Sequence, residues 1–317
     1  KFLNDNFIGT GKYILKDFSN EKQLLEPNTN YWGDKPKNFG ISFIGYENSS
    51  SLYGALKSKQ IDVLLSNSID DSQRKSLNNL SKNKQFNEGN SPFTELSFIS
   101  LKTSSYPLSN LNLRLALAKS LNRKLISEKV SYGLRKPSRS IIPPILKKDN
   151  QELWPKYDYL EARRLLQKEN YCNGNILKIP LTYRSNVPAD KLIALTWQEE
   201  IKSSLKDCID IELNGVESTT VYKNLSLGIY TAVLLDWTGA YSDPEAYLTP
   251  LLSCNEIVDG ICKKGESVYS GSFWGSNRVE DLLLDSENLN GKERLAKLIE
   301  IEKIASESIP YIPIWIS

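Results

Sequence analysis

Histidine is absent from the 317 residues, and so is methionine. Without an imidazole, a histidine general base, a Ser-His-Asp triad and a histidine metal site are all excluded. The lack of methionine leads to the expectation of a processed or excised segment. No apolar run approaches the roughly 20 residues that span a bilayer, and Lys1-Phe2-Leu3-Asn4-Asp5 carries no signal-peptide core. There is no excess of charge of either sign. Lys and Arg number 40 against 38 Asp and Glu, a net +2, which falls short of what a phosphate backbone demands, so no nucleic acid is expected as a partner.

What is present is ordinary in proportion. Hydrophobic residues at 40% and charged residues at 25% describe a soluble globular chain, and its length exceeds what one core usually serves, which favours two lobes. The four cysteines, Cys172, Cys208, Cys254 and Cys262, have no Cys-x-x-Cys spacing, so zinc-knuckle and thioredoxin-like motifs lack support. Cys172 and Cys208 each stand just before an expected strand. If those strands are parallel neighbours, Cys172 pairs with Cys208 and Cys254 with Cys262, which implies an oxidising compartment; four separate buried thiols are the alternative.

Along the chain, Tyr13–Phe18, Gln23–Glu26 and Phe39–Tyr46 read as strands, Ser51–Lys59 as a helix and Ile61–Leu65 as a short buried strand, a β-α-β unit. The tract Ser66–Asn90 is polar, and Phe93–Thr103 is strand-like. Asn110 caps a helix with Leu111, Leu115, Ala118 and Leu121 on one face, a second helix follows from Arg123 to Val130, and Asp158 caps Tyr159–Lys168. Strand 176–183, helix 188–205, strand 209–213, helix 218–227 and strand 230–236 then alternate, which predicts a mostly parallel sheet covered by helices. Helices near 278–287 and 291–307 precede a last strand, Tyr311–Ile316. The helix of Trp197 places it inward with Ile193 and Ile201.

Three stretches carry a resemblance. Gly9-Thr10-Gly11-Lys12-Tyr13 is followed by Glu26-Pro27-Asn28 and Asn30-Tyr31-Trp32-Gly33, and then by Ala55 to Val63. Asn112-Leu113-Arg114-Leu115-Ala116 leads to Leu121-Asn122-Arg123. Leu235-Asp236-Trp237-Thr238-Gly239-Ala240-Tyr241-Ser242-Asp243-Pro244 is the third. In this order they resemble the family 5 bacterial extracellular solute-binding proteins, receptors of oligopeptide, dipeptide and nickel ABC importers. The resemblance departs from the family pattern at Lys12, Pro27 and Ala240.

The resemblance implies an α/β, two-lobed periplasmic-binding-protein-like fold (type II, cluster C), with the second lobe complete, the first partial and the chain truncated at both ends. It places a partial first lobe with the first hinge crossing at 1–103, the second lobe at 104–306 and the return crossing at 307–317. It implies a small peptide or peptide-like solute as ligand, ABC permease transmembrane subunits as partners, a monomeric receptor, no cofactor, metal or catalytic residue, and a periplasmic or extracytoplasmic, membrane-tethered location. In peptide-binding members the acid after Trp-x-x holds the ligand ammonium; Ala240 stands there, with Asp236 as candidate replacement. Arg184 corresponds to an arginine that receives the ligand carboxylate in the dipeptide branch, a solvated surface residue being its bland alternative.

The expected ligand-binding set is therefore Arg184, Asp236, Trp237, Thr238, Gly239, Ala240 and Tyr241, with Trp274 as a further cleft wall. Asp243 before Pro244 reads instead as a helix start. Two other classes compete: a hydrolase pairing Asp236 with Asp243 or Glu245, and an interaction module that has lost small-ligand binding, as Ala240 suggests.

Overall fold

The computed structural model describes residues 9–65, 68–89, 91–147 and 151–317. Lys1–Asp5 and both ends of the polar tract, at 66–67 and 90, lie outside them. The chain divides into two compact units, Lys1–Arg74 and Lys75–Ser317.

The first unit is built on an antiparallel sheet of β1 (Tyr13–Phe18), β2 (Lys22–Pro27) and β3 (Ile41–Ile44), in that order. The turn from β1 to β2 is closed by Ser19, whose Oγ accepts from Lys22 N at 3.0 Å. Asn28 draws two of the motif segments together: its N donates to Lys12 O and its Nδ2 to Gly11 O. Helix α1 (Ser49–Lys57) starts at Asn48, whose Oδ1 accepts from Ser51 N at 2.9 Å.

The expected strand Ile61–Leu65 does not form. Val63 and Leu65 are 78% and 69% exposed with no strand beside them, because a short apolar run becomes a strand only where a sheet edge receives it. The polar tract conceals a helix instead, α2 (Asp71–Lys82). It opens with a reciprocal cap, Asp70 Oδ1 accepting from Gln73 N and Gln73 Oε1 from Asp70 N.

The second unit holds a six-stranded sheet of β4 (Leu96–Leu101), β5 (Lys136–Pro137), β6 (Leu177–Arg184), β7 (Ile209–Val216), β8 (Ala232–Trp237) and β11 (Tyr311–Ile316), in the order β5-β11-β4-β8-β6-β7. A small hairpin of β9 (Glu256–Val258) and β10 (Ile261–Lys264) stands apart. β6 runs parallel to both β7 and β8, as the alternating pattern predicts. β4 then joins antiparallel to β8, and β11 antiparallel to β4, so the two expected crossing strands lie side by side. Every residue of both is buried.

The second unit's helices are α3 (Leu111–Ser120), α4 (Arg123–Ser131), α5 (Pro144–Lys147), α6 (Tyr159–Lys168), α7 (Pro188–Ser204), α8 (Ser218–Asn224), α9 (Glu245–Leu252), α10 (Glu266–Tyr269), α11 (Asn277–Glu287) and α12 (Gly291–Ser308). α3 packs on α6, α4 on α7 and α11 on α12. Trp197 lies in this core as expected, its Nε1 donating to Ser120 Oγ. Trp274 is buried there too, bridged to Ile261, and so is no cleft wall.

The Arg114 and Arg123 of the second motif serve the core. Arg114 donates to the carbonyls of Ser308, Leu108 and Ser109, and Arg123 to those of Pro313 and Pro155. Ser308 ends α12, where carbonyls lack intrahelical donors, Pro313 lies within β11, and the other three carbonyls belong to loops, so the two arginines tie loops to α12 and β11. Burial lowers both guanidinium pKa values, Arg114 to about 10 and Arg123 to about 9, the latter helped by Arg139.

A second buried clamp is Glu302 on α12. Its carboxylate accepts from Ser140 Oγ, Ile141 N, Ile142 N and Lys147 Nζ, fixing the proline-rich loop to the helix. Removing one member strands the other charge in a dry site, so Glu302→Ala should lower unfolding free energy by about 3–5 kcal/mol in urea titration; a loss below about 1 kcal/mol, the level of an exposed pair, would refute the clamp.

Cys172–Cys208 and Cys254–Cys262 are disulfides, and no cysteine among the described residues is free. Cys172 and Cys208 lead into β6 and β7, whose parallel register starts at Leu177 and Ile209. With partners 36 and 8 positions apart in sequence, chain entropy gives roughly 4 and 2.5 kcal/mol of stabilisation. Reduction under denaturing conditions should raise the mass by four hydrogens, two per bridge; an unchanged mass would contradict the pairing.

Candidate functional site

In an open α/β sheet, ligands bind outside the carboxyl ends of parallel strands. Here that rim is formed by the ends of β6, β7 and β8, and antiparallel β4 brings its first residue, Leu96, opposite Trp237. The third motif leaves β8 at this rim. The structure thus brings Arg184 and Asp236 together, from residues 52 apart in sequence.

Arg184 is only 3% exposed and so is not a solvated surface arginine. A guanidinium has five N–H donors, and all are taken. Nε donates to Asp190 Oδ2, Nη1 to Tyr222 Oη and Asp236 Oδ1, and Nη2 to Asp190 Oδ1 and Asp236 Oδ2, at 2.8–3.1 Å. Burial pulls the guanidinium pKa down, but the hydrogen bonds to Asp190 and Asp236 outweigh it and hold the group above its ordinary value. Asp190 comes from the first turn of α7 and is buried. The Asp236 side chain keeps 33% of its surface open. Tyr222, on α8, is pushed above the usual phenol range by burial.

The loop after β8 is fixed from beneath. Half-buried Trp237 donates from Nε1 to Ala246 O at 2.7 Å, and Tyr247 Oη donates to Thr94 O at 2.6 Å. Gly239 lies so close to this support that a Cβ would sit 2.7 Å from the Tyr247 ring, leaving no room for a larger residue. Thr238, Ala240 and Tyr241 are exposed, Tyr241 at 56%.

Asp243 behaves as the helix start its sequence predicts: its Oδ1 accepts from Glu245 N at 2.9 Å at the head of α9. Its other oxygen and Glu245 both bind Arg294. Asp236, Asp243 and Glu245 are therefore each committed to an arginine, which removes the support for a carboxylate-pair hydrolase. Two hollows on this unit, of about 430 and 340 Å³, are lined by other residues, among them Phe93, Pro144 and Ile316 in the first and Arg123 and Tyr157 in the second. Among the described residues no group of three or more His, Cys, Asp or Glu could hold a metal ion, and no helix is long and apolar enough to cross a membrane.

Asp190 and Tyr222 were not legible as site residues. Asp190 follows Val187-Pro188-Ala189 and reads as a first-turn acid, while Tyr222 sits on a helix too short for a periodic signal.

The mixed α/β sheet, with the Trp237 loop leaving a parallel strand, has the fold of solved periplasmic binding proteins. A dipeptide binding protein from Pseudoalteromonas sp. SM9913, solved in complex with Met-Leu, superposes with a TM-score of 0.80 at 20% identity, over 97% of this chain and 58% of that one. The chain belongs to the bacterial extracellular solute-binding proteins, family 5, whose family model matches residues 1–259. Among curated relatives, the heme-binding protein A of Haemophilus influenzae is 23% identical over 98% of this chain, and the oligopeptide-binding protein OppA of Bacillus subtilis 26% identical over 98%. The chain spans 55% and 56% of those relatives' own lengths.

Arg184→Met tests the ionic core of the rim. It leaves Asp190 buried without a counter-charge, at a cost of about 3–5 kcal/mol near neutral pH. Burial already pushes the Asp190 carboxyl above the usual range, and losing Arg184 adds to this. A carboxyl whose pKa is higher folded than unfolded contributes stability at low pH that is lost as pH rises through the raised value. Urea titrations should show a larger deficit at about pH 8 than at about pH 5; equal deficits would argue for lost packing alone.

Proposed function

We propose that this chain is part of the extracytoplasmic substrate-binding component of an ABC transporter, which captures a small peptide or peptide-like solute between two lobes and delivers it to the permease's transmembrane subunits. The observation that carries this is family membership across residues 1–259, with the family's Trp-containing loop leaving the carboxyl end of β8. The Met-Leu complex and the oligopeptide-binding relative favour a peptide-like solute.

Arg184, Asp236, Trp237, Thr238, Gly239, Ala240 and Tyr241 form the solute-facing rim in this reading. β4 and β11 are the crossings: residues 1–103 carry part of the first lobe and the first crossing, 104–306 form the second lobe, and 307–317 return toward the first. Solute touching both lobes favours the closed state by its differential affinity. Micromolar capture needs about −8 kcal/mol, within reach of hydrogen bonds and apolar burial without covalent chemistry. The protein acts as a monomer in the periplasm or tethered outside the membrane, an oxidising setting in which both disulfides persist.

Native mass spectrometry of the full-length protein purified without refolding should reveal a co-purified small molecule that denaturation releases. Thermal shift against di-, tri- and tetrapeptides should identify at least one class that stabilises the fold, by about 2.7 kcal/mol at a concentration near 100 Kd. A protein that carries no small molecule and responds to no peptide overturns the proposal.

A further inference from the structure

The smaller hollow, of about 340 Å³, shares no residue with the Trp237 rim. Four cationic side chains line it, Arg123, Lys124, Arg139 and Lys156, against one carboxylate, Glu152, which leaves three positive charges over. Glu152 is committed to Arg139, its Oε2 accepting from Nε and Nη2. Lys124 approaches only Glu128, at 3.9 Å with both side chains exposed, and Lys156 is exposed with no ion pair among the described residues. Behind the wall stands Glu200, bonded to Asn122 and Tyr157, with its carboxyl raised above the usual range by burial and Lys129 near it. Even with Glu200 counted as ionised, the surplus is two.

The backbone adds to this field. α4 starts at Asn122, whose Oδ1 accepts from Leu125 N, and Ile126 N makes the first intrahelical bond, to Asn122 O. The N–H groups of Arg123 and Lys124 come before it and have no acceptor within the helix. No acid occupies the first turn of this nine-residue helix, so nothing there offsets its positive end. Arg123 is itself short of an acceptor. Nε and Nη1 donate to Pro313 O and Pro155 O, but Nη2 is buried with no hydrogen-bond partner among the described residues, and the whole residue is only 5% exposed. Burial and the neighbouring Arg139 hold this guanidinium down to about 9. An anion in the hollow would relieve the repulsion among all four cations.

We propose that this hollow is an oxyanion site that takes a phosphate-type dianion, free or as the phosphate of a small ester. Helix-start amides, guanidinium groups and ammonium groups are the donors that bind such an ion. A surplus of two to three charges matches a dianion better than a single carboxylate. The hollow is larger than a bare ion needs and falls within the range of ligand pockets, roughly 300–1,000 Å³, which leaves room for an ester portion beside the Tyr157 ring. Its occupant would join the start of α4 to the segments that carry Arg139 and Lys156. The site does not depend on the solute-binding reading of the rim.

Titration calorimetry on the full-length protein, at constant ionic strength, with inorganic phosphate, glycerol 3-phosphate and acetate tests the site. Phosphate should bind saturably with a Kd of about 1 mM or tighter, and acetate at least roughly tenfold more weakly. The double variant Lys124→Gln/Lys156→Gln should weaken phosphate by roughly tenfold or more, while Lys191→Gln/Lys263→Gln, which removes the same charge outside the hollow, should stay within about twofold. All four lysines are exposed, so both variants should melt near the parent temperature; if either does not, the order of anions on the parent protein decides alone. Glycerol 3-phosphate binding about threefold or more tighter than phosphate upholds the site with the ester as occupant, and equal affinity upholds it with the free ion. No saturable binding of phosphate or its ester, acetate binding as tightly as phosphate, or equal weakening by both double variants overturns it.

Discussion

A guanidinium withdrawn from water is tolerated where its hydrogens find acceptors, and that constraint organises the second unit. Arg184 meets it with two carboxylates and a phenol. Because those partners come from β8, the start of α7 and α8, satisfying one side chain ties three elements to the end of β6. Arg114 meets it with backbone carbonyls, joining α3 to the end of α12, and Arg123 meets it in part, joining α4 to β11 through Nε while its buried Nη2 has no partner among the described residues. Burial would otherwise cost far more than packing returns at these positions.

The consequence for function is geometric. With β6, β7 and β8 parallel, their carboxyl ends share one edge, the edge at which open α/β sheets take ligands, and the β8 loop leaves from it. Trp237, Tyr247 and the space-limited Gly239 hold that loop from below, so its upper face is presented with little freedom to rearrange. A receptor benefits from such pre-organisation, because ordering a loop on binding would subtract from affinity. The paired carboxylates on both flanks supply charge of one sign, and the disulfide between Cys172 and Cys208 secures the opposite ends of β6 and β7.

Much of the fold was readable wherever periodicity and capping agree. Asn110 and Asp158 mark helix starts in the structure as in the sequence, and the strands before Tyr183 and Leu235 stand where their apolar runs place them. The errors have local causes. Ile61–Leu65 has the composition of a strand but no edge to join, whereas the Asp70–Gln73 cap was lost among polar neighbours that dilute the periodic signal of α2. Trp274 is aromatic like a cleft wall, yet a bridge to Ile261 draws it into the core.

By itself the sequence determined the class of the protein: the absence of histidine, the three ordered motifs and the alternation of strands and helices follow from residue identity and spacing alone. Only the tertiary structure decided which groups hold Arg184. Its partners lie 6, 38 and 52 residues away, and hydrogen bonding depends on distances of a few ångströms that chain separation does not encode. The same arginine reads as a free receptor on the line of sequence and as a saturated support once the sheet has closed around it.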